Sequence, residues 1–207
     1  MKSALIVDDH PVVRAAVKIV LQQEGFQRIY EANCGSEVMA MVREHQPDVV
    51  VLDISLPKLD GLEVLARLHD SGERCPVVVF SAHEAMLFQD RCIRAGAAAY
   101  VAKSNDLQHL HKAIHAVTVG YTYFAQLSTS VSLSTSQCSE KQRIDGLSSR
   151  ELTICRYLAM GISNKQIAEN LHLSHKTVST YKTRLIKKLD VKSAVHLRDF
   201  ALRNRLI

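Results

Sequence analysis

Long apolar runs are missing from this 207-residue chain. No stretch approaches the roughly 18 apolar residues of a membrane-crossing helix. The opening MKSALIVDDH turns acidic where a secretion signal would stay apolar. A cytoplasmic protein with no membrane partner is expected. Cysteine is sparse and unpatterned: Cys34, Cys75, Cys92, Cys138 and Cys155 are odd in number, scattered, and without C-x-x-C spacing. That argues against disulfides or structural zinc and for reduced thiols, to which no chemistry is assigned. Aromatic residues make up only 5% of the chain, and no stacking motif of the RNA-recognition type is present. Proline is confined to Pro11, Pro47, Pro57 and Pro76.

What is present falls into two halves. Hydrophobic residues make up 47% of the chain, enough for a buried core. Residues 1–124 carry 12 Lys and Arg against 15 Asp and Glu, a charge of −3, whereas residues 125–207 carry 14 against 6, a charge of +8. The second half is the one suited to a polyanion. In the first half short β-rich runs alternate with helical periodicity, predicting strands at 3–8, 28–32, 48–53, 76–81 and 99–102. Helices are predicted at about 11–24, 35–46, 60–71, 83–95 and 105–119, with Pro11 in a first turn and Gly25, Gly96 and Gly120 at helix ends. Five strands, each followed by a helix, predict an α/β fold: a doubly wound, five-stranded parallel sheet with ligands outside the carboxyl ends of its strands.

From Tyr123 to Asp145 the text turns rich in Ser and Thr and loses its period, which reads as a linker. Beyond it four short helices are expected, at about 148–160, 163–171, 174–189 and 193–204. Two begin with capping boxes, Ser148 with Glu151 and Ser163 with Gln166, and two with the caps Ser174 and Ser193. The domain boundaries so drawn are 1–122, a linker at 123–145, and a smaller all-α domain at 146–207.

Within VVVLDISLP, Val49 to Leu52 read as a strand buried on both faces, yet Asp53 follows at once. A buried carboxylate needs compensation, so Asp53 either stands just past the strand end or meets a cation. Asp8 and Asp9 leave the first strand at the same sheet edge, and three crowded carboxylates would repel one another unless a divalent cation neutralised them. Magnesium suits such an oxygen site. Ser81 and Lys103 end two further strands and add a hydroxyl and a mobile cation. Taken singly, each residue has a plainer role as a helix cap or a solvated side chain, and Asp60 and Gly61 read as turn and cap. Their conjunction on one edge resembles a phosphoryl-transfer site with Asp53 as nucleophile.

The segments LIVDDH, VVVLDISLPKLDG, VVVFSA and AGAAAYVAK resemble the receiver domain of bacterial response regulators, a flavodoxin-like fold, over roughly residues 1–122. The resemblance implies a phospho-acceptor at Asp53 and magnesium held by Asp8 or Asp9 with Asp53 and the carbonyl of Ser55. It also implies phosphoryl contacts from Ser81, Ala82 and Lys103 and a switch aromatic at Tyr100. Ser104 stands where many receivers have proline, so a cis peptide after Lys103 is not assumed. The rival class is a phosphatase of the haloacid-dehalogenase type. It is disfavoured because Ser55 takes the place of the general acid two residues past the nucleophile. The site is expected to hold phosphate rather than shed it.

In the basic half, two helices joined by a turn at His172 to Ser174 read as a helix-turn-helix. On the second, Val178, Leu185, Ile186 and Leu189 mark the inward face. Lys176, Ser179, Thr180, Lys182, Thr183, Arg184 and Lys187 can face a duplex. The segment from Leu147 to Val191 resembles the LuxR-type DNA-binding domain. By that match Ser179, Thr180 and Thr183 face base edges, and Lys176, Thr177, Tyr181 and Lys182 contact the backbone. The last helix, with Val195, Leu197, Phe200 and Leu202, is similar to a dimerisation helix. Receiver plus LuxR-type domain is identified as the NarL/FixJ class of response regulators, most like its BvgA/EvgA/FimZ branch. The class implies a transcription regulator, not an enzyme, whose Asp53 takes phosphate from a sensor histidine kinase or phosphotransfer domain. Dimerisation and binding to double-stranded promoter DNA would follow, with RNA polymerase as a further partner. A regulator whose receiver works without phosphate is the alternative.

Overall fold

A computed structural model describes residues 1–56, 59–73, 75–125, 140, 142–204 and 206–207. It divides into two compact units, an α/β unit and a helical one. The α/β unit runs β1 (Ser3–Val7), α1 (Pro11–Gln23), β2 (Arg28–Ala32), α2 (Gly35–His45), β3 (Val49–Leu52), α3 (Gly61–Asp70), β4 (Val77–Ser81), α4 (Ala85–Arg94), β5 (Ala99–Ala102) and α5 (Leu107–Thr118). All strand pairs are parallel and the order is β2-β1-β3-β4-β5. The predicted doubly wound sheet is therefore present, with the switch in strand order between β1 and β3.

The strands read as continuous apolar runs because both faces are covered. Ala4, Ile6, Val49, Val51, Val78, Phe80, Ala99 and Val101 pack with α1 and α5 in one buried cluster. The alternate residues Leu5, Val50, Leu52 and Val79 are equally buried, as the period of two requires when helices lie on both sides. Pro11 opens α1, and Asp60 and Asp106 cap α3 and α5 by accepting the amides of Leu62 and Gln108. The thiols of Cys92 and Cys155 are pushed up to about 12 by burial, so they pack as small apolar groups. Cys138 lies outside the described residues.

Two predicted boundaries move. Helix α4 begins at Ala85 rather than 83, because His83 is held elsewhere: its amide donates to Ser81 Oγ and its carbonyl accepts the Tyr100 hydroxyl. The segment expected to open the linker instead completes the sheet. The Tyr123 amide donates to the Ala98 carbonyl, and the Tyr100 amide donates to the Tyr123 carbonyl, each at 3.0 Å. The Gln89 side chain then bonds both backbone groups of Ala125 at 2.9 Å. An edge strand such as β5 leaves backbone groups unpaired, and the returning chain satisfies them. Most of the expected linker, residues 126–139 and 141, lies outside the described residues, and residues 142–145 are helical.

The second unit contains α6 (Ser149–Ala159), α7 (Asn164–Asn170), α8 (His175–Leu189) and α9 (Ala194–Arg203). All four expected serine caps are made, two of them as full capping boxes. Leu152, Cys155, Ile167, Val178, Leu185, Leu197 and Phe200 form the buried interior. Glu151 ties it together: it accepts the Ser148 amide at 2.9 Å and Lys188 Nζ of α8 at 2.8 Å. Burial would raise its pKa, but the Lys188 and Ser148 bonds prevail and hold it below the usual carboxylate range. A lowered folded pKa means stability that is present at neutral pH and is lost as pH falls through the folded value. Glu151→Ala is expected to destabilise this unit by about 1–2 kcal/mol in urea unfolding at pH 7. The difference from wild type should shrink towards pH 3.

Candidate phosphoryl site and nucleic-acid interface

Because β1, β3, β4 and β5 run in one direction, Asp8, Asp53, Ser81 and Lys103 meet at one sheet edge. Asp53 lies one residue past β3, its amide still donating to the Val7 carbonyl at 2.9 Å. Asp8 and Asp53 are 3% and 2% exposed, so both carboxylates need partners. Lys103 Nζ supplies them, donating to Asp8 Oδ2 at 2.6 Å and to Asp53 Oδ2 at 2.7 Å. The remaining oxygens take backbone amides: Asp8 Oδ1 from His10 at 2.8 Å and Asp53 Oδ1 from Ser55 at 3.0 Å. Both alternatives posed by the sequence hold at once, since Asp53 is past the strand end and also meets a cation. Burial works to lower the Lys103 pKa, but the Asp53 charge and the bonds to Asp53 and Asp8 outweigh it, and the net shift is upward.

Asp9 is a third exposed. Its Oδ1 is shut from water with no hydrogen bond made to it, although His10 Nδ1 stands 2.7 Å away. Asp8, Asp9 and His10 can direct ligand atoms to within 4.8 Å of one another. Unclaimed carboxylate oxygen beside a second carboxylate fits a hard dication. Asp53 is not part of this group, and His10 is the member that sequence reasoning missed. Ser55 and Ala82 are both exposed at the mouth of the site, and the Ser55 hydroxyl meets His83 Nε2 at 3.0 Å. The His83 ring in turn stacks on Phe88 at 4.2 Å. Ser81 is fully buried. Tyr100 stands in its inward position, 2% exposed with its hydroxyl donating to the His83 carbonyl at 2.9 Å, and burial pushes its phenol far up.

In the helical unit, α8 turns Val178, Leu185 and Leu189 inward, with Ile186 half-buried beside them. Lys176, Thr180, Thr183, Arg184 and Lys187 are exposed, whereas Thr177, Ser179, Tyr181 and Lys182 are half-buried on its flanks. Thr180 and Thr183 donate their hydroxyls back to the carbonyls of Lys176 and Ser179. Their methyls and oxygen lone pairs remain for an outside partner. Ser179 accepts a bond from Asn164 of α7 at 3.2 Å, so it also braces the two helices. An open cleft of about 350 Å³ at the start of α8 is lined by Ser174, Lys176, Thr177, Thr180, Tyr181 and Arg184. Helix amides and cations around one cleft suit phosphate. On α9, Leu197 and Phe200 are buried in their own unit, while Val195 and Leu202 are 70% and 52% exposed.

Comparison with known proteins agrees with both halves. Residues 4–115 match the response regulator receiver domain, and residues 145–201 match the luxR family of bacterial regulatory proteins. The chain is 47% identical over 203 residues to BvgA of Bordetella pertussis, a putative positive transcription regulator of virulence factors, covering 98% of this chain and 97% of BvgA. The chain belongs to the NarL/FixJ class of response regulators. It is also 35% identical to the DNA-binding transcriptional activator EvgA of Escherichia coli K12, over 99% of each chain. The RcsB response regulator of Salmonella typhimurium shares its fold, with a TM-score of 0.58 at 21% identity over 98% of this chain and 100% of RcsB.

Within this response regulator, Gly61 is a site residue for which the sequence offered only a turn. A Cβ there would collide with the Asp53 carbonyl and Ile54 Cα, so α3 packs against the loop after β3 only through glycine. His83, also missed, carries no signal beyond its place two residues after Ser81. Lys103→Met would leave two buried carboxylates facing each other, and at pH 7 without divalent cations it is expected to cost about 3 kcal/mol in urea unfolding. Because the folded Lys103 pKa is raised, its contribution should be complete below pH 10.5 and be lost as pH rises through the folded value. The gap between wild type and variant should therefore be flat from pH 7 to 10 and close above that.

Proposed function

We propose that Asp53 is the phospho-acceptor of this receiver and that its phosphorylation by a histidine kinase or phosphotransfer domain controls promoter binding. The supporting observation is the Lys103 ammonium bridging Asp8 and Asp53. A carboxylate whose one oxygen is held only by a mobile cation is placed to attack phosphorus once that cation shifts to the incoming phosphoryl group. In the transfer, Asp53 Oδ forms the new P–O bond while the P–N bond to the donor imidazole breaks and the imidazole leaves. Lys103 then meets the phosphoryl oxygens instead of a bare carboxylate, and Ser81 and the Ala82 amide bind the others. Asp8 and Asp9, with Asp53 and the Ser55 carbonyl, would hold Mg²⁺, whose charge offsets the negative charge gathered by the phosphoryl oxygens. Ser55, which cannot serve as a general acid, stands two residues past Asp53, so the acyl phosphate should persist.

In the same reading, redistribution of charge at Lys103 alters the β4–α4 and β5 ends through Ser81, His83 and Tyr100, favouring a dimer. Val195 and Leu202 of α9 offer apolar surface for that contact. Two α8 helices would then read double-stranded promoter DNA at half-sites about one helical turn apart. Thr180, Thr183 and Ser179 would face base edges, and Lys176, Thr177, Tyr181, Lys182, Arg184 and Lys187 the phosphates. The protein would do this in the cytoplasm as a regulator and not as an enzyme.

Intact-protein mass after incubation with acetyl phosphate and Mg²⁺ tests the acceptor. One phosphoryl group is expected on wild type and none on Asp53→Asn. An unmodified wild type, or a promoter response kept by the variant, would point to a phosphate-independent receiver. For the DNA contacts, Lys187→Ala is expected to weaken binding alike on all sequences and lower the salt slope by about one, while Thr180→Ala should relax preference at one base position. Titrations at several salt concentrations measure both.

A further inference from the structure

A buried carboxylate flanked by two imidazoles lies at the other end of the receiver. Helix α1 runs back along the sheet from the Asp53 edge, so its C-cap Glu24 emerges at the opposite end. The Glu24 side chain is only 9% exposed, and both of its oxygens face imidazoles of α5: His111 Nε2 stands 3.0 Å from Oε1, and His115 Nδ1 stands 3.3 Å from Oε2. His111 and His115 are four apart, so they share one helix face.

We propose that Glu24, His111 and His115 form a binding site for a transition-metal dication of the zinc type. Two histidines at i and i+4 with one carboxylate from another element are a zinc ligand set. With metal–ligand bonds of about 2.0–2.1 Å, adjacent ligand atoms of a tetrahedral shell lie about 3.3 Å apart, close to both nitrogen–oxygen separations here. Binding needs the two rings to close towards each other around the carboxylate, and both are on the surface, 44% and 67% exposed, with room to do so. Imidazole nitrogen selects zinc, nickel or copper over magnesium. The site is therefore chemically distinct from the all-oxygen site beside Asp53. A bound ion would pin the end of α1 to α5, adding a cross-link to the face where both helices cover the sheet.

The test uses the full chain in excess Mg²⁺, with Zn²⁺ as the probe. Bound zinc is counted by equilibrium dialysis and thermal unfolding is followed with and without it. Wild type is expected to bind one more zinc than the His111→Asn/His115→Asn variant and to gain a zinc-dependent rise in melting temperature that the variant lacks. Glu24→Gln should weaken zinc binding by at least the roughly 10–100-fold that lost outer partners cost. The melting temperature of each protein without zinc is its own reference, so any folding cost of leaving the buried Glu24 carboxylate without its imidazoles is kept apart from the zinc-dependent rise. Equal zinc content and equal melting shifts in wild type and double variant would overturn the proposal. So would a wild type that retains no zinc at micromolar free metal.

Discussion

One ammonium group between two carboxylates organises the receiver edge. Asp8 and Asp53 come from adjacent strands and are almost wholly buried, and two such charges side by side would repel strongly in a medium that screens poorly. Lys103, from the far edge strand, reaches both within 2.7 Å, and backbone amides take the remaining oxygens. The repulsion is offset but the arrangement is not locked, because the cation sits on a flexible side chain. Any new negative charge on Asp53 must change where that ammonium rests. The surrounding structure answers to this requirement: parallel strands bring the three groups to one edge, and Gly61 lets α3 approach the loop after β3 without a side chain in the way.

A chain of contacts leads away from that edge. Ser55 meets His83, His83 stacks on Phe88, and the Tyr100 hydroxyl closes on the His83 carbonyl. The Tyr100 amide in turn bonds Tyr123 in the segment that follows α5. Gln89 of α4 fixes Ala125 just beyond. Tyr100 and the first residues after α5 thus share one strip of backbone on the β5 edge. A displacement of His83 has a continuous set of bonded groups through which to act, although coupling along it rests on the two arrangements those groups can adopt.

The helical unit solves a different problem, that of making short helices stable. Helices of 7 to 15 residues are marginal alone, and here every one begins with a serine cap. Glu151 does double duty, finishing a capping box and anchoring Lys188 of α8 from behind. The exposed face of α8 is therefore free to carry cations and threonines that contribute nothing to packing.

Most of the architecture was legible in the order of residues. Apolar runs of four or five, caps and the helix-ending glycines are local signals, and local physics places them within a residue or two. The acidic edge could be inferred because parallel strands send their carboxyl ends to the same side. The start of α4, the docking of Tyr123 to Ala125, and the parts played by His83, His10 and Gly61 could not. Each depends on groups brought together by the fold: His83 lies 28 residues from Ser55, and Gln89 lies 36 from Ala125. The sequence by itself determined which elements form and which chemistry they carry, because periodicity and capping act over a few residues. Only the tertiary structure decided that Lys103 would span Asp8 and Asp53, 95 and 50 residues away, because a hydrogen bond is set by ångström distances that no spacing along the chain records.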